Sequence, residues 1–411
     1  MKTVRELQSQ SPANESKRLA KSLQTVQTGA LSLHSAIISG WATGCHAAHR
    51  IMLDLRSNTG VQDHKVKPRS VRKDPIVFQI FISADQDQAD VRTEAEKWHS
   101  VSVMLQQDAW DDEPSLQTQA PPNILAARSH NGRRGLAPHM HTIPEVKIKS
   151  ASFSTMQNPS TSVSQPITDM RLAVQQCSLN RQSSSLRLST GFLHMPNFRS
   201  PPSPGWVQQQ VFAIERHRVT DLGKFLGKTS QNEDHQMGFL ERIELAFSIA
   251  ISLLSFHSTH WLEKPWTEES IHFFLKRQSD SRIDTMRPVI MRIVPIAAGT
   301  AVALTTPNLS EPKSALIELG ILLLELWHHR TLEDWAPQTN STYKDTPEDR
   351  RIAATRWLEM TSNGLTTTYT SAVEGCLAFC AGRIRSWQED DFRRQICEDI
   401  IKPLKDNCKA W

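Results

Sequence analysis

Residues 256–275 read FHSTHWLEKPWTEESIHFFL. A long apolar stretch from Leu240 to Phe256 runs into them, and apolar residues resume at Ile271. In between stand Trp261, Pro265 and Trp266. Helix, irregular loop and short strand together have the layout of a catalytic loop. Yet this loop holds no residue evidently suited to catalysis. Whether it is a site, a site lost, or ordinary packing decides how the C-terminal half is read.

Upstream of the loop, VFAIERHRV (211–219) predicts a short strand and DLGKFLGK (221–228) a short helix. The stretch 239–256 predicts a helix with Ile243, Phe247, Ile251 and Leu254 on one face. Downstream, a strand pair leads to ALIELGILLLELW (315–327), apolar almost all round as a buried helix should be. Pro347, Glu348 and Asp349 open another helix, with acids where the helix dipole favours them. TSAVEGCLAFCAG (370–382) and EDDFRRQICEDIIKPLKD (389–406) complete a helical C-terminus, the latter with Phe392, Ile396 and Ile400 in a stripe.

The N-terminal part is sparser. Residues 1–16 are polar and are expected to be disordered. Leu19, Leu23, Val26, Ala30, Leu33 and Ile37 then step along one helical face, capped by Asn14 or Ser16. Such a stripe docks on its own domain or pairs with a partner helix. PIVFQIFIS (75–83) and WHSVSVML (98–105) alternate as strands do, and predict a hairpin or the edge of a small sheet. From 108 to 170 periodicity disappears among prolines, Ser, Thr, Gln and Asn, which predicts a flexible insertion. LRLSTGFL (186–193) is a further pairing segment. The division expected is 1–16, a helix and strand pair over 17–107, the insertion 108–170, and a helical region 171–411.

Composition narrows the function classes. Of 411 residues 38% are hydrophobic, and the formal net charge is only +4, too small to argue for nucleic acid. The basic run His64 to Lys73 reads as a solvated linker or as an import or polyanion-binding patch. Neither a signal-peptide core nor a run of about 18 apolar residues is present. The six scattered cysteines form no disulfide framework. We therefore expect an intracellular protein, cytoplasmic or nuclear, without a membrane span. Cys45, His46 and His49 have ligand-type side chains at close spacing but lack a fourth partner; they read as packing or as a metal site. Cys376, Cys380 and Cys397 read as core residues.

The order of elements in the second half resembles the C-terminal lobe of a eukaryotic protein kinase. Phe256-His257-Ser258 match the end of that lobe's long helix, and Gly320, Glu325 and Leu326 fall in register with its buried helix. The same alignment implies that the chemistry is gone. Glu263-Lys264-Pro265 stand where kinases carry H-R-D, and proline has no side-chain acceptor for a substrate proton. Ser270 replaces the magnesium-binding asparagine, and Ala315 the aspartate that opens the buried helix. No D-F-G follows in 276–300, no G-x-G occurs, and Phe212-Ala213-Ile214-Glu215 has an acid where V-A-I-K has lysine. Trp261 and Trp266 are expected to fill the space instead.

The chain as a whole resembles a fungal domain-of-unknown-function family with such a degenerate kinase-like half. The matches are Trp41 to His49, Thr259 to Leu262 with Trp266, Ile271 and Phe273, Leu319 to Leu326, and Phe392 to Leu404. They span most of 17–411 as one family domain, apart from the insertion. Relatives often accompany prion-inhibition or HeLo-type domains linked to incompatibility and cell death. The resemblance implies an α+β fold, mainly α, with a kinase-like helical lobe, a small reduced N-terminal β part and a long disordered insertion. That family has no established activity to carry over; the groups missing from the kinase pattern lead us to expect a non-enzymatic interaction or signalling scaffold with unidentified protein partners, no cofactor and no catalytic or metal residues. The degenerate loop positions are Glu263, Lys264, Pro265 and Ser270; Trp261, Trp266, Gly320 and Glu325 are structural. An atypical nucleotide-dependent transferase and a cell-death regulator acting through the N-terminal stripe are the alternatives.

Overall fold

The computed structural model describes residues 12–39, 49–56, 76–83, 96–105, 189–193, 205–208, 216–226, 237–275, 287–294, 311–339, 343–379 and 385–411. The insertion 108–170, Cys45, His46, Cys177, Cys380, the basic run 64–73, the segment 212–215 and residues 276–286 lie outside them, as do residues 1–11.

Helix α1 runs Pro12–Ser39. It starts within the stretch expected to be disordered. Proline is tolerated in a first turn, where its missing N–H would have had no partner. Leu23, Val26, Ala30, Leu33 and Ile37 are all buried in the protein's own core. Of the two readings of the stripe, docking on its own domain is the one observed.

Among the described residues, eight strands form an antiparallel sheet: β1 (His49–Asp54), β2 (Ile76–Ser83), β3 (Glu96–Leu105), β4 (Ser189–Leu193), β5 (Gly205–Gln208), β6 (Arg216–Asp221), β7 (Ile271–Leu275) and β8 (Pro288–Val294). Their order is β2-β1-β8-β7-β6-β3-β5-β4, with β2 also paired to β3. Six strands therefore close on themselves. β3 pairs β2 from Trp98 to Leu105 along one edge. Its other edge meets β6 at Glu96 and Lys97, then β5 at Ser102–Met104. β2 and β3 do form a hairpin-type pair, but neither is an edge strand. The sheet also takes strands from both halves of the chain, so the expected N-terminal β part is not separate from the C-terminal half.

Side-chain alternation divides the sheet's two faces. Ile51, Leu53, Phe78, Ile80, Ile82, Val101, Val103, Phe273 and Ile290 join the main core. On the opposite face Met52, Phe81, Trp98 and Val289 form a second cluster, joined by Val219, Phe274 and Met291. Each of the six ring strands contributes to it.

The helices of the C-terminal half are α2 (Leu222–Leu226), α3 (Phe239–Phe256), α4 (Pro312–His328), α5 (Leu332–Thr339), α6 (Pro347–Thr361), α7 (Thr367–Ala378), α8 (Asp390–Ile396) and α9 (Lys402–Lys409). Their ends are written locally. The Glu241 carboxylate accepts from the Gly238 N–H at 2.9 Å, and the Thr346 and Thr366 hydroxyls accept from Asp349 and Tyr369 N–H. Pro312 and Pro347 occupy first turns. Between α8 and α9 a single π turn, Cys397–Ile401, lets Phe392, Ile396 and Ile400 all stay buried. α4 is the central helix. Gly320 lets α7 approach: a Cβ there would lie 3.1 Å from both Cys376 Cβ and Leu377 Cδ2. The described residues form one compact unit.

Candidate functional site

The loop between α3 and β7 has two sides. On one it docks against α1. Gln27 Nε2 donates to His257 O at 2.6 Å, and Trp261 Nε1 donates to Ala30 O at 3.4 Å. The His34 ring stacks on His260 at 4.1 Å and meets the Trp261 ring edge-on at 5.9 Å. Within the loop, Ser258 takes a left-handed φ of 58° and turns the chain out of α3. Thr259 caps the short 3₁₀ turn His260–Leu262 by accepting from Trp261 N–H. Trp266 Nε1 donates to Trp261 O at 3.2 Å, and both indoles are buried, 2% and 1% exposed. The local backbone is thus satisfied by its own side chains and by α1.

The loop positions singled out in the sequence can now be placed. Glu263 is exposed; its carboxylate accepts from His260 Nδ1 at 3.1 Å and lies 3.8 Å from Arg292. Lys264 is exposed and Pro265 half-buried, between the two indoles in sequence. Ser270 closes a turn: its hydroxyl accepts from Thr267 N–H at 3.2 Å, and its own N–H donates to Thr267 O. The tryptophan and glycine positions behave as packing.

The other side of the loop is different. Glu268, Glu325 and Glu333 bring carboxylate oxygens within 4.8 Å of one another. Glu268 sits at the loop's end, where its carbonyl accepts from Leu222 N–H and fixes the start of α2. Glu325, in α4, is fully buried; its Oε1 accepts from Leu332 N–H at 2.8 Å and ties α4 to α5. Oε2 of Glu268 and Oε2 of Glu325 are both buried with no hydrogen-bond partner among the described residues. Glu333, in α5, is partly exposed and pairs with Arg350. Arg350 also binds Glu318 at 2.8 Å and Asp345 at 2.9 Å.

One guanidinium therefore serves a neighbourhood of five acids. Burial, then the Glu333 charge, pushes the Glu268 carboxyl up to about 7. Burial, followed by Glu268, raises Glu325 well above the ordinary carboxylate range. On the α1 side the direction is opposite. Burial, then His260 and Arg292, lowers His34 to about 3, and burial lowers His257 to about 4. Both imidazoles are held neutral.

Sequence reasoning marks Glu325 as structural but passes over Glu268, Glu333 and Arg350. Two acids next to each other in TEES, a glutamate within LLLEL and another in TLED carry no sign that they converge. Only the packing of α4, α5 and the loop brings them together.

A family model, a domain of unknown function (DUF7580), matches residues 20–411, and the chain belongs to that family. No curated protein and no solved structure matches it.

Proposed function

We propose that this chain is a non-catalytic, pseudokinase-like interaction or signalling scaffold of a fungal cell, working in the cytoplasm or nucleus with protein partners. The observation that carries the reading is the loop's state. Pro265, which the kinase resemblance aligns with a phosphotransferase's proton acceptor, lies between two buried indoles in sequence, and the loop is clasped by α1 through Gln27, Ala30 and His34. Phosphoryl transfer is nearly all positioning and charge neutralisation, and needs a base and metal ligands in one cleft. The order of α3, loop, β7, β8 and α4 supports the kinase-like part of the proposal. β7 and β8 are also hydrogen-bonded outward to β6 and β1, which leaves these strands closed into the ring rather than free beside a cleft.

No helix among the described residues is long and apolar enough to cross a membrane. A second reading, an atypical nucleotide-dependent transferase, draws on Glu268, Glu325 and Glu333, the buried acids beside the loop. A role in incompatibility or cell death would have to use a surface other than the α1 stripe, which is buried.

Thermal unfolding of the full chain with ATP and magnesium, against magnesium alone, separates the readings. The scaffold predicts no added stabilisation from the nucleotide. Stabilisation by ATP beyond the metal-only control, with labelled phosphate reaching any acceptor, overturns it.

A further inference from the structure

The carboxylates behind the loop have an unfilled requirement. Glu268 Oε2 and Glu325 Oε2 are buried and unpartnered, while the nearest cation, Arg350, is directed to Glu318, Glu333 and Asp345. An unpartnered buried carboxylate oxygen is costly, and two facing each other cost more. Acids alone do not make a site. Here, however, one orphaned oxygen belongs to the fully buried Glu325, the other to the largely buried Glu268, and a third carboxylate completes the set.

We propose that Glu268, Glu325 and Glu333 bind one divalent cation of calcium's size, which locks the loop's end to α4 and α5. Calcium takes oxygen ligands at about 2.3–2.6 Å, so two ligands on opposite sides of the ion stand roughly 4.6–5.2 Å apart. Three oxygens within 4.8 Å of one another fall inside that reach. Magnesium holds its ligands at about 2.0–2.1 Å and demands a tighter octahedron, so it is the poorer fit. Carboxylate oxygens are hard donors, and none of the three ligands offers the imidazole or thiolate that zinc or copper prefers. The Glu333 side chain is 40% exposed and provides both the way in and room for the waters that complete the shell. Glu325 Oε1 keeps its bond from Leu332 N–H, which fixes the orientation of the free Oε2. The ion would be structural. It touches none of the positions Glu263 to Pro265, and the proposal stands whether or not the scaffold reading does.

The test is calcium titration of the full chain after chelator treatment, above neutral pH, by calorimetry and thermal unfolding. One ion per chain, with a rise in the unfolding temperature and weaker binding of magnesium, is the expected result. Glu268→Gln and Glu325→Gln should each weaken calcium binding by about tenfold or more, since affinity follows ligand charge. Glu318→Gln, which alters only the Arg350 pairing, should retain it. Should Glu325→Gln fail to fold, Glu333→Gln carries the same readout from a partly exposed position. No saturable binding up to millimolar calcium overturns the proposal and leaves protons as the only neutralising charge. Binding undiminished in Glu268→Gln and Glu333→Gln overturns it equally.

Discussion

The two sides of one loop are built on opposite electrostatic plans. Toward α1, Trp261, Trp266, Gln27 and the neutral His257 fill space and satisfy the backbone, and the neutral His34 ring packs on His260 and Trp261. Toward α4 and α5, Glu268 faces Glu325 and Glu333 with oxygens left over. The first side is mainly packing, although His34 Nδ1 and Ser258 Oγ are buried there without a partner among the described residues. The second retains chemical capacity, in carboxylate oxygens without a partner among the described residues. The packing of the loop and the presence of a charged site beside it are therefore separate questions in this fold.

The largest effect should come from removing the packing side's anchor. Trp261→Ala deletes a buried indole, its bond to Ala30 O and its contact with His34, and should cost about 3–5 kcal/mol in denaturant unfolding. A loss near zero would mean that α1 does not clasp the loop.

Next in size are the pH dependences, which should have opposite signs. Glu268, raised from 4.5 to about 7, keeps in the fold a proton that the unfolded chain releases between those values. Its contribution is full below 4.5 and is lost as pH rises through 7. His34, lowered from 6.5 to about 3, contributes above 6.5 and loses that contribution as pH falls toward 3. Measured in chelator, Glu268→Gln should flatten the upper limb of the stability–pH curve, and His34→Gln the lower one. A curve whose upper limb is unchanged in Glu268→Gln would remove the electrostatic half of the comparison.

What the sequence makes legible depends on the kind of signal each part leaves. α3 and α4 are long apolar segments with clear punctuation, and their positions come from local pattern. β1 escapes detection because Ile51, Met52 and Leu53 are all buried and so show no alternation. It exists through pairing with β2 and β8, both distant in sequence. α5 escapes because Pro337 inside it reads as a break. The strand expected at 211–219 is observed as β6 at Arg216–Asp221. The loop's packing role is readable from two tryptophans around a proline. The carboxylate cluster is not, because convergence of Glu268, Glu325 and Glu333 is a property of tertiary packing alone.

Two smaller perturbations sharpen the boundary between the sides. Gly320→Leu would force α7 away from α4 at Cys376 and Leu377, for about 1–3 kcal/mol, with the carboxylate-side pH limb shifted because Glu325 shares the helix. Gln27→Ala removes one hydrogen bond to His257 O and should cost about 0.5–1.5 kcal/mol, read by denaturant unfolding.

The most direct measurement is transfer of labelled γ-phosphate from ATP by the full chain, with magnesium or manganese, to itself or to generic protein acceptors. The account predicts no incorporation above a no-protein background, and the same result for Pro265→Ala. Incorporation by the wild-type chain that disappears in Glu268→Gln or Glu325→Gln would contradict it, and would make the acids behind the loop a catalytic centre.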